Sequence, residues 1–141
     1  MTVSFIVPGK PRGKERPRFN SKTRQTFTPQ KTKDYEELVR WCYRAKCKGI
    51  KLEGEITASI TAYYPIVSSA SKVSKDAMIK GKIRPVVKPD ADNIIKSILD
   101  ALNGLAYKDD AAIVAVSAEK YYSAEPRVEI TLTDGKEDVH G

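Results

Sequence analysis

The sequence predicts an α+β fold in a single domain, on three observations. Short runs with strand-like alternation are interspersed with two long stretches of helical periodicity. The 141 residues suffice for one hydrophobic core but not for two. Hydrophobic residues make up 40% of the chain and charged residues 30%, the balance of a globular protein rather than a disordered or membrane-spanning one.

Val3 to Val7 are apolar and β-rich and stop at Pro8-Gly9, which predicts a first strand ending in a turn. The next stretch, 10–24, carries Lys10, Arg12, Lys14, Arg16, Arg18, Lys22 and Arg24 against Glu15 alone. Pro11, Gly13 and Pro17 interrupt it, so it reads as a flexible basic arm. Phe19, Phe27 and the nearby Tyr35 could stack on bases or anchor that arm to the core. Thr28-Pro29 predicts a helix start, with Thr as cap and Pro in the first turn, and the helix runs to about Lys46. Its buried face is Tyr35, Leu38, Val39, Cys42 and Tyr43; Trp41 lies off that stripe and is expected at the edge of the core rather than against a second subunit.

Glu55 to Tyr64 alternates, with Ile56, Ala58, Ile60 and Ala62 on one side, and predicts a strand with one wet face. Residues 66–88 lose that pattern. They hold a short helix at about 72–80 closed by Gly81, together with Lys72, Lys75, Lys80, Lys82, Arg84 and Lys88, and read as a mobile basic flap. A second strong helix spans Asp92 to Asn103, buries Ile94, Ile95, Ile98, Leu99, Ala101 and Leu102, and stops at Gly104. Two strands follow, Ile113 to Tyr121 and Arg127 to Thr133, and the turn residues between them predict a hairpin. The domain is therefore expected over 1–133, with 134–141 as a flexible polar tail.

The formal net charge of +7 points to an anionic partner. No amphipathic helix presents a dense basic face, so nucleic acid is favoured over a membrane surface. No apolar run approaches the roughly 18–20 residues that span a bilayer, and the start lacks an export signal, so a cytoplasmic protein is expected. Cys42 and Cys47 lie on one helix at a spacing that turns them apart, and the single histidine, His140, sits in the tail, which excludes a zinc site.

Against this basic background the acids gather. Lys88-Pro89-Asp90-Ala91-Asp92-Asn93 is followed by Lys96 and then by Tyr107-Lys108-Asp109-Asp110. Taken alone, Asp90 and Asp92 read as a helix cap, and Asp109-Asp110 as a turn before a strand. Lys96 stands one helical turn after Asp92, either as an i, i+4 salt bridge or as a cation aimed at phosphate charge. Asp100, a further turn along, reads as its structural partner. Together the acids suggest more, because a reversal at Gly104 could return Asp110 beside Asp90 and Asp92. Three carboxylates without His or Cys suit Mg²⁺ or Mn²⁺.

The order of features resembles the RusA family of Holliday-junction resolvases, common in bacteria and their phages. The resemblance rests on the strand entering Pro8-Gly9-Lys10-Pro11-Arg12-Gly13-Lys14-Glu15-Arg16-Pro17-Arg18, the long first helix, Lys-Pro-Asp-x-Asp-Asn-x-x-Lys-x-x-x-Asp-Ala-Leu over 88–102, and Tyr107 before Asp109-Asp110. It implies a mixed sheet packed against two main helices, a homodimer, a need for Mg²⁺ with Mn²⁺ able to substitute, no organic cofactor, and symmetric nicking of four-way DNA junctions in recombination and repair. Carried over residue by residue, it implies Asp90, Asp92 and Asp110 as metal-binding catalytic carboxylates, Asp109 as an auxiliary ligand, and Lys96 as the catalytic lysine.

DNA contacts are expected from Lys10, Arg12, Lys14, Arg16, Arg18, Lys72, Lys75 and Lys88. Some members carry an aromatic wedge just before the first carboxylate, where this chain has Val86-Val87. Phe19, Tyr63, Tyr64 and Tyr107 are the substitutes, each weighed against core packing. Two competing readings are a non-catalytic nucleic-acid-binding module and a phosphatase with Asp90 as nucleophile; Pro89 argues against the second.

Overall fold

The alternation at the start of the chain folds as strand β1 (Thr2–Pro8), with Val3, Phe5 and Val7 turned inward. The structure, a computed structural model, describes residues 1–135. After β1 come β2 (Arg18–Asn20), β3 (Gln25–Phe27), α1 (Gln30–Cys47), β4 (Ile56–Pro65), α2 (Lys72–Ile79), α3 (Ala91–Leu102), β5 (Ile113–Ser123) and β6 (Arg127–Asp134). They make one α+β domain around a mixed four-stranded sheet of order β1-β6-β4-β5. The apolar stripes of α1 and α3 share one core with the inward residues of β1, β4 and β6. The other sheet face carries exposed Thr2, Ser4, Thr57 and Ser59.

Several expectations need correction. β5 and β6 form no hairpin: β4 lies between them, parallel to β5 and antiparallel to β6. The buried residues Val128, Ile130 and Leu132 suit β6 to a central place, while β5, none of whose residues is fully buried, takes the edge. The last strand includes Asp134, which the tail was expected to claim. Its buried carboxylate accepts from the Met1 ammonium at 2.9 Å and from the Glu53 amide at 3.2 Å, which ties the N-terminus to the end of β6. The remainder of the expected tail lies outside the described residues.

On α1 the N-cap is Pro29, one residue later than the expected Thr28, and no side chain caps it. Leu38 and Trp41 are 36% and 67% exposed rather than packed, because the inward stripe is narrower than its periodicity suggested: Tyr35, Val39, Cys42, Tyr43 and Cys47. Both cysteines are free and buried. The arm is not loose either; β2, within it, pairs with β3 just beyond it as an antiparallel hairpin.

Candidate functional site

The first half of the basic arm is a strap bolted across the start of α3. Buried Ser97 donates from its hydroxyl to the Arg12 carbonyl at 2.9 Å. The Lys14 amide donates to the Asn93 carbonyl at 3.2 Å, and the Glu15 amide to the Thr32 hydroxyl on α1 at 3.3 Å. Between them Gly13 passes so near that a Cβ there would lie 2.9 Å from Pro89 Cβ and 3.0 Å from Asn93 Cβ. The Lys14 ammonium meets Asp100 at 2.5 Å and Glu36 at 3.6 Å. Its hydrogen bond to Asp100 is the main cause of a pKa raised above the ordinary lysine value. Asp100 is thus partnered by Lys14 and not by Lys96. Among the described residues Lys96 enters no ion pair.

Strap and helix wall a groove of about 1090 Å³. Lys10, Arg12, Arg16 and Arg18 line it from the arm, and Lys88 and Lys96 from the opposite wall, with Asp90, Asp92 and Asp100 among them. Lys31, in the first turn of α1, lines it too. The sequence reading missed Lys31 because only the fold brings α1 beside the strap. Lys72 and Lys75 lie on α2 and do not line the groove.

Asp90 occupies the N-cap position of α3 and Asp92 its first turn. The Asp90 carboxylate nevertheless accepts no capping hydrogen bond, and neither acid enters an ion pair among the described residues. Both are exposed. The helix N-terminus tolerates their negative charge, but their structural use as caps is not realised. Asp90 also opens a helix rather than ending an apolar strand, which removes the support for a phosphatase nucleophile.

The segment carrying Asp90 is held by Tyr64, expected as a wedge candidate or a core residue, and by Lys120, which no local pattern singled out. The Tyr64 hydroxyl donates to the Pro89 carbonyl. Lys120 lies 4.8 Å over the Tyr64 ring and donates to the Val87 carbonyl at 2.7 Å. Burial, and then the Asp90 charge, push the Tyr64 hydroxyl pKa up. Arg84 donates to the Lys120 carbonyl at 2.9 Å and stacks 4.2 Å over Tyr121. The expected flap is therefore pinned to β5 at its C-terminal end.

The two acids at 109 and 110 part company. Asp109 accepts from the Ala111 amide at 3.2 Å and caps a short 3-10 turn, Asp110–Ala112. That bond, then the one to Asp110, holds the Asp109 carboxyl below its usual pKa, whereas the hydrogen bond to Asp109 raises Asp110. The Asp110 amide donates to the Asn103 side chain at 3.2 Å. The chain does reverse at Gly104, but the expected gathering is not seen: among the described residues, no three His, Cys, Asp or Glu side chains lie together to hold an ion. Asn103 ties Asp110 to the C-terminal end of α3, and a helix of that length rises about 18 Å. The oxygen donors present still fit Mg²⁺, which takes one or two carboxylates, keeps several waters and shares substrate phosphates.

A mixed-sheet α+β domain that sets, at a helix N-terminus inside a cationic groove, carboxylates without an ion pair among the described residues defines a class, one whose chemistry suits a phosphate polyanion. The profile of the family Endodeoxyribonuclease RusA matches residues 8–133, and the chain belongs to that family. A relative, "Uncharacterized protein YqaN" of Bacillus subtilis (strain 168), is 34% identical over 136 residues, covering 94% of this chain and 96% of its own length.

Proposed function

We propose that the chain is a divalent-metal-dependent endodeoxyribonuclease that resolves four-way (Holliday) junctions by paired symmetric nicks, in DNA recombination and repair. One observation carries the reading: Asp90 and Asp92 line a cationic groove, and among the described residues no cap or ion pair occupies them and Lys96 beside them enters no ion pair. Membership of the family supports the junction as substrate. Asp90 and Asp92 would hold Mg²⁺, with Mn²⁺ able to substitute. The family motif adds Asp110 as the third carboxylate and Asp109 as an auxiliary, which requires Asp110 to approach from the other end of α3 when metal and DNA bind. Bound there, the ion supplies Lewis-acid activation of water and of the phosphodiester.

The chain's own residues do the rest. Lys96 presents its ammonium to the charge that grows on the phosphoryl oxygens. Lys10, Arg12, Arg16, Arg18, Lys31 and Lys88 grip flanking phosphates and fix the register of the scissile bond. Lys72 and Lys75 meet a junction arm outside the groove. Lys14, expected among the phosphate contacts, is committed to the strap. The products are a 5′-phosphate and a 3′-hydroxyl. A homodimer would supply a second site for the opposed strand. A cytoplasmic place belongs to the same proposal; among the described residues no helix is long and apolar enough to cross a membrane. No organic cofactor is called for.

The test compares wild type with Asp90→Asn on four-way junction, linear duplex and flap DNA, with Mg²⁺, with Mn²⁺ and with chelator. We expect paired nicks from wild type only with metal, and junction binding without cleavage from the variant. Equal cleavage by both would sink the assignment of Asp90, and binding without cleavage by wild type would leave a non-catalytic binding module.

A further inference from the structure

We infer that the β2–β3 hairpin is the element that recognises the branch point, stacking Phe19 and Phe27 on bases left unpaired where the strands exchange. This inference rests on the reading of the groove as a DNA cradle and adds the means by which branched DNA is told from linear duplex.

The hairpin is built from Arg18↔Phe27, Phe19↔Thr26 and Asn20↔Gln25 pairs. Its turn is closed by the Arg24 amide donating to the Asn20 carbonyl at 2.7 Å, while the Asn20 side chain accepts from the Lys22 and Thr23 amides. Every residue from 15 to 27 is exposed. Phe19 and Phe27 are 62% and 46% exposed, and neither belongs to the core or to the apolar residues packed against it. An isolated two-stranded ribbon has little stability of its own in water, so two phenylalanines held in solvent on such a ribbon are poorly explained by folding. Trp41 is exposed as well but lies on α1 and does not line the groove, and of the four aromatics weighed as wedges Phe19 is the one that stays in solvent. Tyr64 and Tyr107 are buried, and Tyr63 is stacked with Tyr121 on one side and capped by Arg127 at 4.0 Å.

Charge selects the occupant. From 16 to 33 the chain has no Asp or Glu, and Arg18, Lys22 and Arg24 lie on the hairpin itself. The ribbon is continuous with the groove, since Arg16, Pro17 and Arg18 are lining residues. A cationic two-stranded ribbon carrying exposed aromatic faces fits nucleic acid whose bases are accessible. Phosphate contacts from its cations would serve any DNA, but aromatic stacking needs a base face that a continuous duplex keeps covered.

Binding without cleavage isolates this step. The full chain is titrated, in Ca²⁺ or chelator, against a fluorescently labelled four-way junction and a linear duplex of the same sequence. Wild type is compared with Phe19→Ala, Phe27→Ala and Phe19→Trp, with thermal unfolding read alongside. We expect each alanine variant to lower the junction-to-duplex affinity ratio about 10-fold, with the salt dependence kept, and Phe19→Trp to restore it. An unchanged ratio, or equal weakening on both DNAs, overturns the inference. So does a change in oligomeric state in the alanine variants, which would make the hairpin a self-contact. If wild type prefers the junction yet never cuts it, the nuclease reading fails while these ratios still decide the role of the hairpin.

Discussion

Lys14 and Lys96 carry the same ammonium, and the fold gives them different work. Lys96 lines the groove without an ion-pair partner among the described residues. Lys96→Met should lower kcat on junction DNA about 10²–10³-fold while leaving affinity in Ca²⁺ nearly unchanged; gel-based cleavage under single-turnover conditions reads the first and anisotropy the second. Lys14 is instead tied to Asp100, and its consequence is for stability. Because its folded pKa is raised above 10.5, the folded state holds that proton more tightly than the unfolded state. The stabilisation is fully present below the ordinary lysine value and fades as pH climbs through the higher folded value. Lys14→Met should therefore lower Tm by a constant amount between about pH 7 and 9, and the gap from wild type should close above pH 10.5. A gap that widened with rising pH would contradict the ion pair. With the Lys14 side chain 31% exposed, solvent screens the pair and keeps the gap small.

At the scale of elements, α3 organises the site. Its amphipathic period was legible in the sequence, and so was the acid motif at its start, because both are local patterns. The strap across it was not. Pro11, Gly13 and Pro17 signal irregular backbone, and composition by itself does not distinguish an irregular segment that is pinned from one that is flexible. What holds the strap is the close approach of Gly13 to Pro89 and Asn93, with bonds through Ser97, Asn93 and Thr32. Gly13→Ala should force these apart, cost about 1–3 kcal/mol of stability, and lower junction cleavage by displacing the groove wall; urea unfolding and cleavage assays measure the two. A variant as stable and active as wild type would show that the strap is freer than its contacts suggest. The Asp109-Asp110 pair teaches the same lesson. Its residue types gave no reason to separate the two, whereas the Ala111 amide commits Asp109 to the turn and leaves Asp110 the better ligand candidate.

At the scale of the molecule, the net charge of +7 is expressed in the groove, whose lining sets eight Lys and Arg against four acids. Of the groove's lining cations, Lys10, Arg12, Arg16, Lys31 and Lys88, all assigned to flanking phosphates, stand outside ion pairs among the described residues. If all meet phosphates, log K against log salt should fall with a slope of about −5 for each engaged protomer. A slope shallower than about −2 would mean that DNA lies elsewhere. The sequence by itself determined the α+β class, the core-facing stripes of α1, β4 and α3, and the chemistry of the acid and base motifs, since periodicity and residue type are written locally. Only the tertiary structure decided that Lys14 meets Asp100 across 86 residues, that β4 separates β5 from β6, that Tyr64 and Lys120 hold the segment bearing Asp90, and that Phe19 and Phe27 stay in solvent. Each of these depends on which distant segments share space, and that is settled by packing one core as a whole rather than by any window of the chain.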